Sequence, residues 1–197
     1  SILKNLSPLN LILGHLDALT HCLDSLTSFN KNPYSNFLAV STVNNFLENS
    51  ELCSEFFEDL KKEGLVQLSL LSLNGGICQN NAGAGLTHAL AHSAERLSGI
   101  PHAECISYFL PIVLEYIYSI DEGFVLKKNS EFKQHILKYQ LYLKELKALE
   151  NINNFITERK NIEKCLELAP DDPCWRFFYK KVDSLKLKDL ILGSLWT

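Results

Sequence analysis

Residues 7–28 read SPLNLILGHLDALTHCLDSLTS, and the spacing inside this stretch sets the fold class. Ser7-Pro8 joins an N-capping hydroxyl to a proline at the first helical position, where the missing N–H costs nothing. Ile12, Leu16, Leu19 and Leu23 follow at intervals of four, three and four, so they share one face of a helix reaching about Ser28. The same helix carries Asp17 and His21 at i and i+4, one turn apart on one side.

The same punctuation recurs outward. Asn32-Pro33 starts a second helix to about Glu48, and Ser50 caps a short charged helix to Lys62 that Gly64 is expected to end. From Leu65 to Gly75-Gly76 the chain is apolar on nearly every face, as befits the middle of a bundle. A polar turn at Gln79–Asn81 and the glycine-bearing run Ala82–Gly85 then lead into a helix ending at Gly99. Pro101 opens a long helix with Pro111 as an expected kink, and Asp121–Gly123 turns the chain. Ser130-Glu131 begins a surface-facing, Lys/Glu-rich helix whose apolar residues are Phe132, Ile136, Tyr139, Tyr142 and Leu143. Pro170-Asp171-Asp172-Pro173 is the clearest loop, and one or two terminal helices are expected to dock beyond it. No strand pattern emerges, so the expectation is a single all-α domain over 1–197, a multi-helix bundle of about eight helices.

Composition narrows the class. With 197 residues, 46% hydrophobic and 21% charged, the chain is neither disordered, collagen-like nor a disulfide-stapled miniprotein. A net charge of −4 offers no electrostatic footprint for nucleic acid or an anionic membrane, so neither partner is expected. Residues 64–94 carry no Asp, Glu, Lys or Arg, but asparagines, glutamines and glycines interrupt them, which suits buried core better than a membrane span. The six cysteines form no CxxC pair and read as reduced thiols, implying a cytoplasmic setting. The chain starts at Ser1 and contains no methionine, as expected of a processed product or a piece of a longer polypeptide.

Five of the six histidines fall in two windows: His15 and His21, then His88, His92 and His102. His88-Ala89-Leu90-Ala91-His92 sets two imidazoles one turn apart in a segment free of charge, where an imidazole needs a partner to offset desolvation. Asp17 also stands among apolar neighbours. Imidazole plus carboxylate donors suit Zn²⁺ or Fe²⁺ rather than Ca²⁺ or Mg²⁺. Spacing alone leaves two readings open: a metal site, or core histidines hydrogen-bonded to Asp17, Thr87 or backbone carbonyls. His15 is expected at the surface.

The string Gly85-Leu86-Thr87-His88-Ala89-Leu90-Ala91-His92, followed by Pro101-His102 and Leu110-Pro111, resembles the signature of the iron-containing (group III) alcohol dehydrogenases. Asp17-Ala18-Leu19-Thr20-His21 resembles the same family's DALTH motif, and Asn32-Pro33 falls where relatives carry a similar turn. The resemblance spans about residues 7–120, with 121–197 matching only in being helical. It implies the C-terminal helical domain of the dehydroquinate synthase-like fold, with Fe²⁺ (or Zn²⁺) held by Asp17, His21, His88 and His102. His92 then corresponds to the family residue beside the nicotinamide and substrate, as a catalytic group. Departures from the family pattern stand at His15, Glu95, Ala103 and Ile117.

The implied function is that of the metal-binding half of an NAD(P)-dependent alcohol dehydrogenase or aldehyde reductase acting on a small alcohol or aldehyde. Gly83-Ala84-Gly85 lacks the third glycine of a dinucleotide fingerprint and reads as a helix entry. NAD(P) is therefore expected on an N-terminal nucleotide-binding domain absent from this chain, which alone is expected to be inactive. A homodimer is among the expected assemblies. The alternative is a stand-alone, non-catalytic metal-binding bundle acting in protein interaction. Neither the adjacent His-Asp pair of an HD phosphohydrolase nor the HExxH of a zinc protease occurs.

Overall fold

The computed structural model describes residues 5–48, 62–127 and 130–194. Those residues form α1 (Pro8–Leu26), α2 (Pro33–Glu48), α3 (Lys62–Ala82), α4 (Leu86–Ser98) and α5 (His102–Ile120). The second half holds α6 (Ser130–Glu145), α7 (Glu150–Thr157), α8 (Arg159–Leu168), a 3₁₀ turn (Ala169–Asp171), α9 (Pro173–Phe177) and α10 (Ser184–Gly193). The all-α bundle is as the sequence predicts, and the short helix expected from Ser50 lies outside the described residues.

The caps read from the sequence are formed. Ser7 Oγ accepts the Asn10 N–H at 3.2 Å, and Asn32 Oδ1 accepts the Ser35 N–H at 2.9 Å. α1 runs through the middle of the bundle against α2, α3 and α5, with Ile12, Leu16, Leu19 and Leu23 all buried. Each such side chain contributes roughly 1.5–3 kcal/mol relative to exposure. α5 is long and apolar enough to cross a bilayer by length and composition, but most of it is buried inside the bundle. Pro111 sits within this helix without ending it.

Two expected boundaries are displaced. α3 continues through Gly64 and through Gly75-Gly76, and the polar residues Gln79–Asn81 form its exposed last turn. A helical glycine costs only about 1 kcal/mol, which packing overrides. At Gly75 the packing needs it, because a Cβ there would stand 2.5 Å from the Ala18 carbonyl oxygen of α1. Glycine here is the contact between two helices.

The Pro170–Pro173 segment is likewise ordered, split between the 3₁₀ turn and the start of α9. The end of α9 and the residues after it are pinned to the loop after α1: the Phe29 N–H donates to Phe177 O and the Tyr179 N–H to Thr27 O, both at 2.9 Å. Gly83, at φ +86°, passes under the Phe177 ring, which a Cβ would meet at 2.8 Å. The loop after α1 and the end of α9 are thus both brought to the N-terminus of α4.

Candidate metal centre

Three helices aim side chains at one point. The Nε2 atoms of His88 (α4), His21 (α1) and His102 (α5) lie 3.4, 3.7 and 3.8 Å from Asp17 Oδ1. The His21 and His88 rings are stacked with centroids 4.4 Å apart, while His102 is the outlying member, 5.6 Å from His88. Even the shortest of these approaches is long for a hydrogen bond. Asp17 Oδ1 and His88 Nε2 are both buried without a hydrogen-bond partner among the described residues. Ligand atoms of Asp17, His21 and His88 lie within 4.8 Å of one another, with His102 beside Asp17, and this donor set, two of its atoms orphaned, fits a divalent cation of N/O preference. Core histidines satisfied by Asp17, Thr87 or backbone would not leave Nε2 of His88 orphaned.

Local sequence explains the convergence. Asp17 and His21 are one turn apart on α1, and His88 lies in the first turn of α4, directly after the Gly83–Gly85 entry. Its other ring nitrogen, Nδ1, meets Asp24 Oδ2 at 2.7 Å, with both side chains 2% exposed. The same Oδ2 accepts the Gly85 N–H at 2.7 Å. Gly85 has to be glycine for this, since a Cβ would come within 2.9 Å of Asp24 Cγ. Asp24 therefore fixes the ring of His88 so that Nε2 faces Asp17.

Glu95, noted from the sequence only as a departure, performs the same service at half-exposed range: its Oε2 lies 3.1 Å from His102 Nδ1. His92 does not join the four. Its Nδ1 meets Asp172 Oδ2 at 2.9 Å, and its ring stacks on His102 at 5.1 Å. His15 is a correction: it is buried, not at the surface, with its ring 4.8 Å from Phe46 and 5.9 Å from Tyr139 and neither nitrogen hydrogen-bonded among the described residues. Its position on α1 turns it toward α2 and α6, away from the four donors. Of the other departures, Ile117 is core and Ala103 packs half-buried against it.

The electrostatics follow from the geometry. Burial opposes a charge on His88, but the facing Asp17 carboxylate and the hydrogen-bonded Asp24 outweigh it and push the imidazole up to about 9. Burial would raise Asp17, yet His88 and the neighbouring imidazoles hold its carboxyl below the usual range. Burial and the facing His88 bring His21 down to about 4. At neutral pH His21 is thus uncharged and Asp17 ionised, each with a lone pair to offer a cation.

Sequence reasoning missed Asp24, although it follows Asp17 and His21 at i+7 and i+3 on the same helix face. It also missed Asp172, for which no local pattern signals a contact 80 residues away from His92.

The chain matches the model of the Fe-containing alcohol dehydrogenase family, C-terminal domain, over residues 11–190. The match extends well past residue 120, so the C-terminal half belongs to the likeness as well. Alcohol dehydrogenase 4 of Saccharomyces cerevisiae is 28% identical over 150 residues, covering 76% of this chain and 38% of that protein. The 1,3-propanediol dehydrogenase of Citrobacter freundii is 32% identical over 111 residues, covering 56% of this chain and 28% of the relative. The iron-containing alcohol dehydrogenases of Thermococcus thioreducens and Thermotoga maritima share the fold, with TM-scores of 0.76 and 0.75 at 20% and 21% identity. Each alignment covers 98% of this chain but only 52% and 51% of the solved one. The chain thus spans about half the length of those structures and less of the curated relatives. The helical bundle and the family match over residues 11–190 together place this chain in the Fe-containing alcohol dehydrogenase family, as its C-terminal domain.

Proposed function

We propose that this chain is the metal-binding half of an NAD(P)-dependent alcohol dehydrogenase or aldehyde reductase. Asp17, His21, His88 and His102 would hold one Fe²⁺ or Zn²⁺. The observation that carries the reading is the convergence of three imidazole Nε2 atoms on Asp17 Oδ1, with two of the four atoms orphaned in the interior. Bound there, a divalent ion supplies a Lewis acid that favours the alkoxide form of an alcohol oxygen.

The chain's own residues do the rest. Asp24 and Glu95 lock His88 and His102 by their Nδ1 atoms, so the Nε2 atoms stay aimed inward. His92 donates Nδ1–H to Asp172, which leaves Nε2 as the acceptor, and its side chain is 38% exposed and so reachable by a substrate. In alcohol oxidation this nitrogen would take the hydroxyl proton, and a nicotinamide held by another domain would supply the hydride acceptor. A domain carrying the nucleotide would lie outside these 197 residues.

The test is metal analysis of the purified chain. About one Fe²⁺ or Zn²⁺ per chain is expected; His88→Ala and His102→Ala should abolish it, and His92→Ala should retain it. A chain that binds no ion even after reconstitution defeats the reading.

A further inference from the structure

A second cluster stands beside the first and shares none of its four proposed ligands. One ligand atom from each of His92, Asp172 and Cys174 lies within 4.8 Å of the other two, and all three side chains are half-buried. We propose that these residues form a second, weaker cation site suited to Zn²⁺.

The donor set is nitrogen, oxygen and sulfur, which zinc accepts in tetrahedral geometry and which a thiolate biases away from hard, oxygen-seeking cations. Bond lengths of about 2.0–2.3 Å place tetrahedral ligands roughly 3.3–3.8 Å apart. The observed separations, at most 4.8 Å, exceed that by no more than about 1.5 Å. The backbone is already fixed: Asp172 Oδ1 accepts the Cys174 N–H at 2.8 Å, and the Asp172 N–H donates to Ala169 O. The segment that follows is tied down by Phe177 O and by the Gly83–Phe177 contact. Such anchoring holds ligands in place before the ion arrives. Three protein ligands leave the fourth position to water, and on binding the thiol proton passes to solvent as the sulfur–metal bond forms.

Occupancy of this site has a consequence that rests on the proposed reaction: it withdraws His92 from proton transfer, so excess zinc would inhibit. The binding itself does not depend on that reaction.

The whole chain, stripped of metal, is titrated with Co²⁺. A thiolate-to-cobalt charge-transfer band is expected with the second equivalent. Cys174→Ser, which keeps the backbone N–H that Asp172 accepts, should lose the band while the first equivalent still binds, and His92→Gln should weaken the second equivalent only. A band that persists in Cys174→Ser, or no thiolate band in the unmutated chain at large excess of Co²⁺, overturns the proposal. His21→Ala separates the two sites: a band retained with the first equivalent lost supports the second site on its own, whereas loss of the band with the first equivalent shows that there is only one centre.

Discussion

Asp24 offers the sharpest quantitative handle on the metal centre, because one oxygen serves two buried donors. Its Oδ2 takes both the Gly85 N–H and the His88 Nδ1–H at 2.7 Å. Asp24→Ala removes the acceptor and leaves two donors unsatisfied in the interior. Each costs about 1–3 kcal/mol, so the metal-free chain should lose about 2–6 kcal/mol of stability, the upper end if no water enters the space. Asp24→Asn instead keeps an oxygen for the two donors and removes only the charge that stiffens and polarises His88. Stability should then change little, while metal affinity should fall roughly 10–100-fold, as for other carboxylates that orient a ligand histidine. The two readouts are the denaturant midpoint of the metal-free chain and competition for metal against a chromophoric chelator. The reasoning is refuted if Asp24→Ala lowers stability by less than about 1 kcal/mol and neither variant weakens metal binding by tenfold.

Three further outcomes are expected. His15→Phe should stabilise the chain by about 1 kcal/mol, since it removes two unpaired ring nitrogens from a site already lined by Phe46 and Tyr139. Burial holds His15 down to about 3 in the folded chain, whereas the unfolded chain takes up its proton from about pH 6.5 downward. Stability is therefore lost as pH falls through that window, and denaturant midpoints at pH 7 and pH 5 should lie closer together in His15→Phe. Gly83→Ala, at φ +86° and facing the Phe177 ring, should cost about 1–2 kcal/mol from backbone strain alone; a thermal midpoint equal to the parent's would refute that strain. Glu95→Gln should weaken metal binding less than Asp24→Asn, because Glu95 is about half exposed and its pull on His102 is screened; equal losses would contradict that order.

Fold and site were legible to different depths. The four proposed ligands stand in motifs whose spacing puts Asp17 and His21 on one face of α1 and His88 and His92 on one face of α4. Periodicity could not choose between His88 and His92, which differ in space by their partners: His88 meets Asp24 and faces Asp17, while His92 turns to Asp172. Glycine was the least readable residue. Gly99, at φ +72°, ends α4 as its sequence context implies, whereas Gly75 lies mid-helix because α1 presses against it. A glycine's local cost is the same in both settings, so only the neighbouring helix tells them apart.

By itself the sequence determined what local physics controls: helix starts at Ser7-Pro8 and Asn32-Pro33, the apolar face of α1, and the one-turn spacing of the donor pairs. Tertiary structure decided which donors meet. It buried His15, recruited Asp24 and Glu95 as supports, and carried Asp172 and Cys174 to His92 from the far end of the chain. The reason is one of range. A helix repeats every 3.6 residues and records its own faces in the sequence, but where two helices cross is set by packing summed over the whole core.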